Sequence, residues 1–185
     1  RPKAALADDP ADRSGVTSHS TPISIDTARM TVPKSGFVAA PAHVVRRPWL
    51  VIDAQHGLGN RLRAISSAAV IAEQSERDLV VLWQPDHHCD CHLSDLLDYP
   101  GAVITADPDN SLHAAADLTW SYMEIEEGST FQAPILADMA RHADQTIYIR
   151  SAYSLNSPLV TMAAEQAFLK SLRPSAPVLD LLDQV

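Results

Sequence analysis

Two short stretches of the 185-residue chain bring chemically capable groups together. The first is Gln55-His56-Gly57-Leu58-Gly59-Asn60-Arg61-Leu62-Arg63. Glycines at Gly57 and Gly59 let a backbone approach a bound group closely or take a positive φ. Asn60 is placed to cap a helix or to turn its amide toward a ligand. Arg61 and Arg63 would then fall in the first helical turn, where a cation opposes the helix dipole by a few tenths to ~1 kcal/mol unless an anion sits nearby. That pattern points to a phosphate or diphosphate at the turn. The second stretch is His87-His88-Cys89-Asp90-Cys91-His92, whose nitrogen and sulfur donors suit Zn²⁺. Structural zinc sites use two separated ligand pairs, and a second pair here would have to come from His56, His113 or His142. No metal is therefore assigned, and the stretch reads as a loop with one buried cysteine and exposed histidines.

The elements around the first stretch explain why it matters. Trp49-Leu50-Val51-Ile52-Asp53-Ala54 is a short apolar run of the kind that forms a buried parallel strand. After the turn, Leu62, Ile65, Ala68, Ala69 and Ala72 recur on one face of a helix expected over Asn60 to Glu76. Leu79 to Trp83 is a second buried strand. Strand, glycine turn, helix and strand make a βαβ unit with a right-handed crossover.

Further along, the sequence predicts a short helix at Leu93–Asp98 and strands at Ala102–Thr105, Leu118–Met123 and Thr146–Arg150. Helices are expected at Pro134–Ala143, from Ser157-Pro158 to Leu172, and at Val178–Leu182. Glu124 to Gly128 reads as a solvated acidic loop. The expected class is α/β, a Rossmann-like parallel sheet with flanking helices over residues 48–185. Residues 1–47 read as a disordered, Pro-rich linker, since residues 1–48 carry six of the thirteen prolines and no sustained periodicity.

Composition narrows the partners. Apolar residues make up 46%, enough for a core. The net charge of −9 divides into +3 over residues 1–48 and −12 over the remainder. An acidic body disfavours nucleic acid. No run approaches the ~18 consecutive apolar residues of a membrane span. The two cysteines, one residue apart, exclude a disulfide scaffold and leave the compartment open.

A nicotinamide-dinucleotide site is the obvious competitor for the glycine turn. Leu62 stands where that fingerprint has its third glycine, and Trp83-Gln84 replace the ribose-binding acid at the end of the second strand. The turn instead carries a different resemblance. His56-Gly57-Leu58-Gly59-Asn60-Arg61-Leu62-Arg63-Ala64, a small-residue helix, Leu79 to Trp83, then Trp83-Gln84-Pro85-Asp86, a cysteine and Leu93-Ser94-Asp95-Leu96-Leu97 resemble the N-terminal half of the fucosyltransferase-like glycosyltransferases. That group includes the nodulation α-1,6-fucosyltransferases and the protein O-fucosyltransferases. The similarity is good over residues 49–98, fainter at Ile149 to Tyr153, and absent from the tail.

The resemblance implies the N-terminal domain of a GT-B enzyme that transfers fucose from GDP-fucose to a glycan or protein acceptor with inversion, using no metal or other cofactor. It implies a donor loop at Gly57, Leu58, Gly59, Asn60 and Arg61, with His56, Arg63 and Asp86 bordering the cleft. It implies also a second domain, whose His-x-Arg motif would begin near Val185, so the chain is expected to hold half a donor site and to be inactive alone. No general base stands out. Two other classes fit the residues: a non-catalytic α/β module whose turn holds a phosphate or a protein, and a small zinc-binding domain built on the His-Cys loop.

Overall fold

The computed structural model describes residues 47–123 and 130–184. The linker expected over residues 1–47 lies outside them except for Arg47, and the acidic loop expected at 124–128 lies outside entirely.

Five strands form one parallel sheet: β1 (Trp49–Ala54), β2 (Asp78–Leu82), β4 (Ala102–Ile104), β5 (Leu118–Tyr122) and β6 (Ile147–Ser151), in the order β4-β2-β1-β6-β5. β1 lies at the centre, with Val51 opposite Val80 and Tyr148, and Asp53 opposite Leu82 and Arg150. A continuous apolar strand with no polar alternation is stable only when both faces are covered, and residues 50–54 are all buried. The α/β class with a Rossmann-like parallel sheet is what the sequence leads one to expect.

Handedness decides how the two faces are covered. The steps β1 to β2, β2 to β4 and β5 to β6 all run in one direction across the sheet, so right-handed crossovers put their connections on one face. Helix α1 (Leu58–Gln74) lies there, with Leu93 of α2 (Leu93–Leu96) and the loop residues Ile135 and Leu136, all packed with Leu50, Ile52 and Ile149. Helix α5 (Met162–Ser171) packs against α1 on the same side. Only β4 to β5 runs the other way. The opposite face, built on Val51, Leu82 and Tyr148, therefore has just Leu112 and His113 of α3 (Ser111–Ala114) and the following Ala116 against it, among the described residues.

The sequence places several boundaries differently. α1 begins two residues earlier than expected, with Gly57 rather than Asn60 as N-cap. The helix expected over Leu93–Asp98 stops at Leu96, because Leu97–Asp98 (β3) pair antiparallel with Arg173–Pro174 (β7). The helix expected at Pro134–Ala143 shrinks to α4 (Met139–His142). Ile135 and Leu136 are instead buried in a turn with Leu136 at φ 53°. The helix expected from Ser157 starts at Met162, capped by Thr161, whose hydroxyl accepts the Ala164 amide at 3.2 Å. Residues 152–160 run over α1 without helical structure, with Leu155 buried. The C-terminal helix α6 spans Ala176–Leu182. Among the described residues no helix is long and apolar enough to cross a membrane.

One buried hydroxyl ties the segment after β6 to α1. Ser67 Oγ accepts the Leu155 amide at 3.0 Å and donates to the Arg63 carbonyl at 2.9 Å. Ser67→Ala leaves that buried amide unpaired and should cost about 1–3 kcal/mol in chemical denaturation. Ser66 bonds only to Arg63 within its own helix, so Ser66→Ala should cost clearly less. Equal losses would show that the Leu155 bond contributes nothing.

Candidate functional site

The carboxyl ends of the parallel strands are where open α/β sheets bind ligands, and the β1–α1 turn lies there. Gly57 has φ −67° and ψ 163°, an extended geometry open to any residue. The left-handed residue is His56, at φ 65°, a conformation costing ~1–2 kcal/mol for a residue with a Cβ. The glycines thus contribute space rather than unusual torsions. A Cβ at Gly59 would meet nothing within 4 Å, and one at Gly57 would meet only the His88 carbonyl, at 3.8 Å. The amides of Asn60 and Arg61 both bond to the Gly57 carbonyl, at 2.9 and 3.1 Å. Those of Leu58 and Gly59 have no acceptor among the described residues, and no side chain caps the helix. Two open N–H groups and the positive end of a 17-residue helix lie together at this turn.

Arg61 sits beneath this turn, not over it. Its side chain is 1% exposed. Nε donates to the His56 carbonyl at 2.6 Å and Nη1 to the Gln84 carbonyl at 2.8 Å. Nη2 stands 2.9 Å from Asp86 Oδ2 as an ion pair, without the alignment of a hydrogen bond. The guanidinium carbon lies 4.8 Å over the Trp83 ring, within cation–π range. The anion that offsets this first-turn cation is Asp86, in the chain itself. Arg63 is exposed and donates to Asn60 Oδ1 at 3.2 Å, which engages the carbonyl oxygen of the Asn60 side chain. The structure thus brings His56, Gly57, Leu58, Gly59, Asn60, Arg63 and Asp86 to one edge, with Arg61 as the buried post that holds it.

Beside the turn lies a group that the sequence reading passes over. Asp53 is buried near the end of β1. Its Oδ2 accepts the Tyr148 hydroxyl at 2.8 Å and faces Arg150 Nε at 3.5 Å, and its Oδ1 accepts Gln55 Nε2 at 2.5 Å. Thr119, Ser121, Tyr148, Arg150 and His113 line a neighbouring cavity of about 470 Å³ on the thinly covered face. The available signal was one acid inside the apolar run Trp49–Ala54.

The His-Cys stretch forms a tight turn. Asp86 and Cys89 exchange backbone hydrogen bonds at 3.2 and 3.0 Å, and Asp86 Oδ1 accepts the amides of His88 and Cys89 at 2.8 and 3.0 Å. The His88 ring stacks on His56, centroids 4.9 Å apart and planes within 4°, and His87 lies beside His88 at 3.8 Å. The Cys89 and Cys91 sulfurs are 3.6 Å apart and unbridged. His113 lies against Tyr148 and His142 against Gln145, so neither is brought to this turn.

With the topology and the turn defined, comparison with known proteins adds one likeness. The fold is similar to that of a fucosyltransferase. The crystal structure of fucosyltransferase NodZ from Bradyrhizobium matches 75% of this chain at 14% identity and a TM-score of 0.47, over 54% of its own length. The structure of NodZ α-1,6-fucosyltransferase soaked with GDP-fucose matches the same shares at 15% identity and a TM-score of 0.41. The chain spans about half the length of these solved structures. No protein-family model and no curated protein matches it.

Two stability tests follow from the site. Arg61→Ala removes the support of both loops and strands a carboxylate that is one-third exposed; the expected loss is about 2–4 kcal/mol, read from urea midpoints. Arg61→Lys should not restore it, because an ammonium cannot reach three separate acceptors in one plane. A full rescue by lysine would mean that charge alone matters.

The two aspartates should act oppositely with pH. Burial pushes the Asp53 carboxyl above its ordinary value, only partly offset by the bonds from Tyr148 and Gln55 and the charge of Arg150. Desolvation also pushes Asp86 up, but the amides of His88 and Cys89 and the charge of Arg61 outweigh it and hold Asp86 low. The contribution of Asp86 is present above ~3.9, the unperturbed value, and is lost as pH falls through its lower folded pKa. That of Asp53 is complete below ~3.9 and is lost as pH rises through its higher folded pKa. In urea midpoints measured from pH 2 upward, Asp53→Asn should therefore steepen the rise in stability through the acid range, and Asp86→Asn should flatten it. Parallel curves for both variants and the parent would remove this assignment.

Proposed function

We propose that this chain is the N-terminal, cleft-forming portion of a glycosyltransferase that transfers fucose from GDP-fucose to a glycan or protein acceptor, in a GT-B arrangement, with inversion and without an essential metal. The observation that carries the reading is the β1–α1 turn: two open amides at the start of a long helix, and glycines whose missing side chains leave surface free. Such a terminus favours a diphosphate through aligned N–H groups and the dipole. The resemblance of residues 49–98 to the fucosyltransferase-like enzymes supports the choice of sugar nucleotide.

In this reading Gly57, Leu58, Gly59 and Asn60 form the donor loop, and Arg63 is the cation at its rim. As fucose departs, charge accumulates on the diphosphate, and donors fixed in advance stabilise it without reorganisation. Arg61 contributes by holding the His56 carbonyl, and with it the turn, at the height from which the amides point outward. Its own donors are engaged within the chain. The rest of the donor site belongs to a facing domain, so residues 1–185 alone bind the nucleotide sugar weakly.

The test compares the 185-residue chain with the protein translated through Val185 to the end of its reading frame. Calorimetry should give weak or no GDP-fucose binding to the former and firm binding to the latter. In the longer protein, Gly59→Leu should fold normally, since its Cβ meets nothing, yet lower kcat/KM for GDP-fucose by about one to three decades. Unchanged turnover in that variant would remove the turn from the donor site. Submillimolar binding by the short chain would overturn the half-site reading.

A further inference from the structure

We propose that Asp86, His87 and His88 form a binding site for a single transition-metal ion of the Zn²⁺ type, on the turn that follows β2. One ligand atom from each of the three residues lies within 4.8 Å of the other two. Tetrahedral zinc, with bonds of about 2.0–2.2 Å, needs its donors ~3.3 Å apart. Both imidazoles are exposed and their rings already neighbour one another, so side-chain rotation alone supplies the difference.

The backbone needs no change. The reciprocal bonds between Asp86 and Cys89 close the turn, and Asp86 Oδ1 fixes the amides of His88 and Cys89. Arg61, itself buried, holds the other carboxylate oxygen at 2.9 Å. A ligating carboxylate oriented by a neighbouring group is the arrangement that tunes metal sites. The guanidinium's positive charge also sets a limit, making micromolar affinity the expectation rather than nanomolar.

The donor set selects the ion. Two imidazole nitrogens and one carboxylate suit Zn²⁺, Ni²⁺ or Cu²⁺, whereas Mg²⁺ and Ca²⁺ require mostly oxygen. This ligand set is narrower than the one the sequence puts forward, which combined the histidines and cysteines of His87 to His92. Cys89 is buried with its sulfur against Cys91, and among the described residues neither thiol joins the cluster. His88 also stacks on His56, whose carbonyl is held by Arg61, so an ion on His88 stiffens the edge of the β1–α1 turn as well. The ion is held within the loop after β2 and takes no part in sugar transfer; the proposal stands whether or not the chain handles a nucleotide sugar.

The experiment uses the untagged 185-residue chain, stripped with chelator, and titrates Zn²⁺ by calorimetry with Mg²⁺ as a control. The comparison is a His87→Ala/His88→Ala double variant, which changes only exposed side chains and whose folding is checked by circular dichroism. One equivalent of zinc should bind with micromolar affinity, weakened more than about tenfold in the double variant, while Mg²⁺ gives no heat. A Co²⁺-loaded sample should show ligand-field bands without thiolate charge transfer. No saturable zinc binding, binding unchanged in the double variant, or a strong thiolate band would each overturn the site.

Discussion

A guanidinium inside a protein interior is tolerated only when its N–H groups find partners, because stripping water from a charge costs several kcal/mol. Arg61 meets that demand by drawing on three separate parts of the chain: the His56 carbonyl before α1, the Gln84 carbonyl after β2 and the Asp86 carboxylate two residues further on. The Trp83 ring lies beneath it. Each partner is held by the same group, so the loops after β1 and β2 share one position. The left-handed backbone at His56, the outward amides of Leu58 and Gly59, and the turn carrying His87 and His88 all inherit their placement from this one side chain.

A second constraint is the direction of the crossovers. Three of the four connections in the sheet run the same way, and handedness puts them on one face, where α1, the Ile135-Leu136 turn and the segment before α5 fill the core. Among the described residues, the other face has one four-residue helix. Polar side chains can occupy strand positions there, and they do: Asp53 and Arg150 lie opposite each other in register, as do Thr119 and Tyr148. A carboxylate buried in the sheet is stable because Tyr148, Gln55 and Arg150 surround it, and the positions of Tyr148 and Arg150 at the cavity depend on Asp53 in return.

The parts that were legible in the sequence are those governed by local pattern. The apolar run Trp49–Ala54, the small-residue face of α1 and the second strand fix the βαβ unit, and the expected strands near 102, 118 and 147 all form. What local pattern misreads is long-range. Arg61 looks like a cation awaiting a ligand because its partner, Asp86, is 25 positions away and carries no mark of pairing. The helix expected from Ser157 has its cap residue and its proline, but Leu155 is tied to α1 and Ser157 is buried, and helix formation waits for Thr161. Pro134 is likewise a good helix opener, overruled because Ile135 and Leu136 supply core volume that a solvent-facing helix there would not.

The glycines of the turn make the same point from the other side. A glycine earns its place in most turns by a torsion that other residues avoid, and here that torsion belongs to His56. Gly57 has an extended backbone and Gly59 is helical, with open space where a Cβ would go. Within the chain, alanine at Gly59 would meet no obstacle and would favour the helix by up to ~1 kcal/mol. The folded chain does not require a residue without a side chain at that position. What the missing side chain does provide is backbone N–H within reach of an approaching group, at the one end of α1 where positive potential collects. Stability and local conformation leave Gly59 unexplained, and it is this unexplained gap that the proposed donor loop addresses.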